Sequence, residues 1–144
     1  MWRVNIYIQI ENAQQRQAKR KFAYVIECVG KSGTTRQDRE TGQIEGTYHS
    51  TTLFAMNRAL KRLNQSCEVH IYTEDRFICN AFEHFISAWA AKEWKNSRGT
   101  DVENRAQWEE LWKYTRGQLV KMELGQHKYT KELAEIMKEE KENV

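Results

Sequence analysis

Proline is missing from all 144 residues, and only seven are glycine. No proline-rich or glycine-rich linker therefore divides the chain, and no internal repeat or low-complexity segment interrupts it. Long apolar runs are missing as well; nothing approaches the ~18 residues of a membrane-spanning helix. The opening MWRVNIYIQI lacks the charged region and longer apolar stretch of a secretory signal, so a cytoplasmic protein is expected. Cysteine is sparse. Cys28, Cys67 and Cys79 are odd in number and lack metal-ligand spacing, which reads as reduced, mostly packed thiols. His49, His70, His84 and His127 form no metal motif. There is no phosphate-cradling glycine loop and no Ser/His/Asp or Cys/His arrangement for nucleophilic catalysis.

What the chain does have is aromatic and charged. Five Trp, six Tyr and five Phe argue against disorder, and 40% hydrophobic with 30% charged residues suits one globular domain over residues 1–144. The net charge of +3 hides an asymmetry. Residues 1–63 carry eleven Lys and Arg against five acids, while residues 64–144 carry twelve against fifteen. A basic half can meet an anionic polymer, although ordinary surfaces also show such imbalances.

Periodicity organises the chain. In RVNIYIQIE, Val4, Ile6, Ile8 and Ile10 face one way and Asn5, Tyr7, Gln9 and Glu11 the other, a strand signature. NAQQRQAKR reads as a polar connection, KFAYVIECV as a second strand, GKSG as a turn and TTRQDRETGQIEG as a polar third strand. Leu53, Met56, Leu60 and Leu63 then share a helical face that Ser50 or Thr51 can cap. CEVHIYT is a fourth strand. DRFICNAFEHFISAWAAKEW predicts one helix with Phe77, Ala81, Phe85, Ala88 and Trp89 in line and Asp75 as its N-cap. A loop over 95–104 leads to a helix using Trp108, Leu111 and Trp112, then a short fifth strand in QLVKMEL and a charged helix over 128–144. The basic run from Arg16 to Lys21 reads as a solvated hairpin edge.

This order resembles type 1 ribonuclease H. VNIYIQIE is similar to the family's first strand and FAMNRALKRL to its first helix. CEVHIYTEDRF is similar to its fourth strand with the acidic end, and TKELAEIM to its last helix. FISAWAAKEWK is similar to the family's basic handle, with Phe85, Trp89 and Trp94 at its aromatic positions. The resemblance covers nearly the whole chain and implies an α/β fold. A five-stranded mixed sheet, its first three strands antiparallel, would be flanked by helices with a Trp-rich handle near 85–105. It also implies four carboxylates around two divalent ions roughly 4 Å apart. This sequence departs from that pattern. The matched positions fall on Gln9, Thr52, Glu74 and Lys131, so only Glu74 is acidic. The loop before the last helix is shortened to GQHKYT, with His127 near the family's His.

The expectation is therefore a protein that binds nucleic acid, an RNA–DNA hybrid or duplex, with cleavage lost or strongly impaired. Lys92, Trp94, Lys95, Arg98 and Arg105 are the expected contacts on the handle. Glu74 is expected to pair with Lys131 or stand solvated at the strand end. Two other readings stay open. Glu11, Glu74 and Asp75 could form a relocated acidic site holding Mg²⁺ or Mn²⁺ in an active nuclease, with Glu74 the one matched metal ligand. Alternatively the scaffold serves protein interaction. No cofactor is firmly implied, no membrane is expected, and the oligomeric state is left open.

Overall fold

A computed structural model describes residues 2–33 and 35–142. Five strands form one sheet in the order β3-β2-β1-β4-β5: β1 is Trp2–Ile10, β2 Ala18–Val29, β3 Thr35–Gly46, β4 Cys67–Thr73 and β5 Leu119–Leu124. The β1–β2 and β2–β3 pairs are antiparallel, and β1–β4 and β4–β5 are parallel. Five helices complete the fold among the described residues: α1 (Tyr48–Lys61), α2 (Arg76–His84), α3 (Ile86–Ala91), α4 (Arg105–Thr115) and α5 (Thr130–Glu142). The last two residues of the expected C-terminal helix lie outside the described residues.

The alternation in β1 holds, but both of its faces are covered. Val4, Ile6 and Ile8 pack with Leu53, Met56 and Leu60 of α1, and Trp108 and Leu111 of α4 join the same core. Tyr7 on the opposite face packs with Ala23, Val25, and Leu133 and Met137 of α5. Asn5 and Tyr7 are thus buried.

Four local expectations need correction. First, α1 is capped by Thr47, not by Ser50 or Thr51: Thr47 Oγ1 accepts from Ser50 N, and Ser50 Oγ accepts from Thr47 N at 2.9 Å. This reciprocal capping box satisfies two backbone donors at once. Second, β2 begins three residues early, because the basic run is only partly solvated: Arg16 and Lys19 are exposed, but Arg20 and Lys21 are buried. Arg20 is 2% exposed, and its guanidinium donates to the carbonyls of Glu11, Asn12, Gln14, Arg16 and Gly46. One planar fork thereby organises the whole β1–β2 connection. Lys21 is also buried and donates to the Met137 carbonyl at 2.8 Å, tying β2 to α5. Third, the helix expected over 75–94 breaks at Phe85, whose φ/ψ of −123°/−28° is not helical. The buried face is Ile78, Cys79 and Ala81, then Ile86; Phe77 and Phe85, placed by periodicity on the inner face, are half exposed. Fourth, Trp89 is only partly buried, while Trp108 is enclosed at 1% exposure with the Trp89 ring against it edge-on at 5.3 Å.

Beneath α5, Glu27 is 4% exposed yet carries four donors. Oε1 accepts from Asn5 Nδ2 and Tyr7 OH, and Oε2 from Tyr129 OH and Lys128 Nζ. Burial alone would raise its carboxyl pKa, but the Lys128 ammonium and the Asn5 and Tyr129 donors hold it, on balance, below the usual carboxylate range. Tyr7 stacks on Tyr72 at 4.7 Å, and burial beside Glu27 pushes its phenol up to about 12.

Two measurements test this packing. Trp108→Ala is expected to cost about 3–5 kcal/mol in urea unfolding, from lost burial plus the cavity left behind, and Trp89→Ala less. Glu27 has a lowered folded pKa, so its stabilisation is complete above the unfolded carboxyl value near ~4.3 and fades as pH falls through the folded one. Other carboxylates contribute to the acid slope, so the difference between wild type and Glu27→Gln is the informative curve. That difference should shrink on acidification, and a flat difference would mean the four donors leave the Glu27 titration unaltered.

Candidate active site

The β1–β4 register pairs Tyr7 with Tyr72. Two residues further along, at the C-terminal edge of both strands, Gln9 and Glu74 come together. Gln9 Nε2 donates to Glu74 Oε1 at 3.2 Å. Gln9 Oε1 is buried without a partner among the described residues. Turning the amide over would set its oxygen against a carboxylate and bury the NH₂ group, so the donor orientation is dictated by Glu74.

The remaining matched positions contribute no anion. Thr52 is fully buried in α1, and its hydroxyl donates to the Tyr48 carbonyl at 2.9 Å, inside its own helix. Lys131 is exposed on α5 and makes no ion pair among the described residues, so the expected Glu74–Lys131 pair is not formed. Nor do the other acids gather around Glu74. The Glu11 carboxylate accepts from Lys21 N at 3.2 Å, back across the hairpin. Asp75 is 1% exposed; its Oδ1 caps α2 through Ile78 N at 3.1 Å and its Oδ2 lies 2.9 Å from His49 Nδ1.

These residues do not fit the pair of Mg²⁺ ions that the resemblance implies. The ligand set would be one carboxylate, an amide presenting its nitrogen, a buried hydroxyl already engaged, and a cation. Mg²⁺ demands several oxygen ligands in near-octahedral order. No group of three or more His, Cys, Asp or Glu among the described residues is placed to hold a metal.

His127 sits at the same edge and is fixed. Its Nε2 lies 3.0 Å from the Ile8 carbonyl, and its Nδ1 accepts from Tyr129 N at 3.1 Å. One nitrogen must therefore donate and the other accept, which specifies the neutral ring. Burial lowers its pKa, against smaller opposing pulls from the Ile8 carbonyl and Glu74.

The handle shows which cations are free. Lys95 pairs with Asp101, and Arg105 pairs with both Asp101 and Glu109. Lys92 and Arg98 are exposed, and no ion pair engages them among the described residues. Trp94 points inward at 9% exposure and meets Trp112 edge-on at 6.4 Å, so it packs the handle and offers no face to a ligand. Exposed rings stand elsewhere. Phe85 is 48% exposed and stacks on Trp89 at 5.9 Å; Phe77 is 53% exposed and stacks on His49 at 4.6 Å. Sequence reasoning passed over Phe77 and His49 as surface features, because it assigned Phe77 to the core stripe. The signal that was available is the adjacency of Glu74, Asp75 and Phe77 in the chain.

Comparisons with known proteins agree with this architecture. The RNase H family model matches residues 10–134. Ribonuclease HI of Xylella fastidiosa is 29% identical over 79 residues, covering 55% of this chain and 53% of that protein. Ribonuclease H of Syntrophotalea carbinolica is 34% identical over 67 residues, covering 46% and 44%. The matches thus span about half the length of these relatives. Among solved structures, LC9-RNase H1, a type 1 RNase H with the type 2 active-site motif, superposes with a TM-score of 0.71 at 18% identity, covering 94% of this chain and 69% of that one. A foamy viral protease-reverse transcriptase in complex with RNA/DNA hybrid gives 0.61 at 11%, covering 85% and 17%. Those two likenesses concern the fold alone. Sheet order, helix placement and a family match over most of the residues together establish that this chain belongs to the RNase H family.

Proposed function

We propose that this protein binds RNA–DNA hybrid, or a duplex of similar groove shape, and that two-metal cleavage has been lost or strongly impaired. One observation carries the reading: Gln9 donates a hydrogen bond to Glu74 where a metal-binding pair of carboxylates would stand. On the handle, Lys92 and Arg98 are exposed and make no ion pair among the described residues. Two divalent ions bring four positive charges. Glu74 and Lys131 cancel, so nothing at the four matched positions offsets the ion–ion repulsion or the cost of dehydrating Mg²⁺.

Binding needs none of those ligands. Phosphates would meet Lys92 and Arg98, and Phe85 and Phe77 offer flat apolar faces to sugars or bases between them. Readout would be of groove shape and 2′-hydroxyls across a wide minor groove. The hybrid bound to the foamy viral relative of this fold supports that choice of ligand. No described helix is long and apolar enough to cross a membrane, and a cytoplasmic setting is part of the proposal. The relocated acidic site finds little support, since Glu11 and Asp75 have other partners.

Activity is tested by incubating a labelled hybrid with the purified chain over a Mg²⁺ and Mn²⁺ series. The rate of strand cutting should be the same with either metal as in chelator. Robust Mg²⁺-dependent cutting, abolished by Glu74→Gln, would overturn the loss of two-metal chemistry.

Binding is tested by its salt dependence. Affinity should fall as salt rises, and Lys92→Ala and Arg98→Ala should each make the log–log slope shallower by roughly one unit. Arg105→Ala should change it less, because that guanidinium already neutralises Asp101 and Glu109. Salt-independent behaviour would favour a protein-interaction scaffold.

A further inference from the structure

A different chemical pair stands where the metal ligands are missing. Asp75 is held at three points, with its side chain wholly buried. The backbone N–H donates to Thr73 Oγ1 at 3.1 Å, Oδ1 accepts from Ile78 N, and Oδ2 faces His49 Nδ1 at 2.9 Å. A carboxylate only accepts, so Nδ1 carries the proton and Nε2 of the neutral ring carries the lone pair. The His49 side chain is 25% exposed, and Nε2 has no partner among the described residues. Phe77 stacks on the imidazole with the two planes 29° apart, and Tyr48 flanks it at 5.8 Å. Glu74 and Arg76 adjoin Asp75 in the chain. A buried carboxylate, an oriented imidazole and an open basic nitrogen beside an exposed ring are the parts of a proton-abstracting site.

We propose that His49 is a general base that cleaves unpaired RNA without metal, with Asp75 as its positioning residue and Phe77 as the seat of the adjoining base. The inference rests on the nucleic-acid binding proposed above and adds a chemistry and a substrate class to it. His49 Nε2 takes the proton of a ribose 2′-hydroxyl. The 2′-oxygen attacks the adjacent phosphorus, the P–O5′ bond breaks, and the departing 5′-oxygen takes a proton from water. The hydroxide so formed removes the proton from the imidazolium, restoring the enzyme. The products are a 2′,3′-cyclic phosphate and a 5′-hydroxyl, with no change in redox state and no other reactant. DNA is excluded because it has no 2′-oxygen. A-form duplex is disfavoured because it holds the 2′-oxygen out of line with O5′, so an unpaired ribonucleotide beside a duplex is the substrate. General base catalysis supplies roughly 10²–10⁴-fold, which sets the scale of the effect.

The experiment uses the full chain in EDTA with a hybrid carrying a labelled single-stranded RNA overhang. Binding is followed by anisotropy and products by gel. Cutting confined to the overhang, with cyclic phosphate ends, is expected, and an all-DNA overhang should stay whole. His49→Gln should slow cutting by at least ~10²-fold while complex formation persists. Asp75→Asn can keep the Ile78 cap through its oxygen while turning an NH₂ toward His49. The ring proton should then move from Nδ1 to Nε2, read directly from imidazole ¹⁵N shifts, and cutting should fall with it. RNA that is bound but intact would overturn this inference and leave the binding proposal standing; absence of binding would overturn both. Cutting undiminished in His49→Gln, or an Nε2-protonated His49 in the wild type, would also overturn it.

Discussion

The parallel pairing of β1 with β4 is the constraint on which the site depends. It is fixed by apolar residues on both strands: Val4 beside Val69 and Ile6 beside Ile71, all enclosed by α1 and its neighbours. A slip of β1 by one residue would turn Val4 and Ile6 toward the α5 face and bring Tyr7 into the α1 core. Because the slip is so unfavourable, the strand ends are held in register, and Gln9 meets Glu74. Elements flanking the two strands are then anchored to the same edge. His127 reaches the Ile8 carbonyl of β1, and Gly125 N donates to the Thr73 carbonyl of β4 at 2.9 Å. Asp75 follows β4 directly and is met by His49 from the first turn of α1.

At this edge the departures from the family pattern are consistent with one another. Thr52 lies at zero exposure, where a carboxylate without a metal would be a buried, uncompensated charge. A short hydroxyl that donates within its own helix avoids that cost. Gln9 relieves the repulsion that an acid would feel beside Glu74 and replaces it with a hydrogen bond. Lys131, exposed on α5, contributes no anion. Groups that act as a unit lose their value together when one is removed. Without a metal, a buried carboxylate that gains no donor is costly, and neutral groups at Gln9 and Thr52 avoid that cost. The pinned, neutral His127 fits the same account, since both ring nitrogens are engaged by backbone groups.

The individual strands and helices were legible because they rest on short-range periodicity, while their assembly into one mixed sheet was implied by the resemblance. Val4, Ile6 and Ile8 alternate, and Leu53, Met56 and Leu60 recur at helical spacing, whatever surrounds them. The Asp75 cap was legible for the same reason, its partner Ile78 being three residues away. What escaped depends on contacts distant in sequence. Arg20 reads as one more cation in a basic run until Gly46, twenty-six residues on, supplies a carbonyl to it. Glu11 faces the same way as Gln9 in an ideal strand, but β1 ends at Ile10, and the hairpin turns that carboxylate to Lys21. The Phe77 error came from extending one helical period through Phe85, where the helix breaks. Glu74 could be placed by resemblance, whereas its partner could not, because Gln9 was compared only with the acid it replaces.

The handle is built independently of the edge that holds Gln9 and Glu74. Its shape is set by a sharp reversal after α3, where Glu93 and Trp94 adopt positive φ values of 56° and 65°. Such conformations are unfavourable for residues with a Cβ, by about 1 kcal/mol or more each. Two features hold them. Trp94 N donates to the Trp89 carbonyl at 2.7 Å, closing the end of the helix, and the Trp94 indole is enclosed against Trp112. A buried Trp removes a large apolar area from water, enough to offset the strained backbone. That reversal turns the indole inward. Lys92, just before it, and Arg98, in the loop beyond it, are left on the exposed surface. None of these contacts touches Gln9, Thr52 or Glu74. The handle's geometry therefore does not rest on the matched carboxylate positions, and the binding proposed for it does not require a two-metal site.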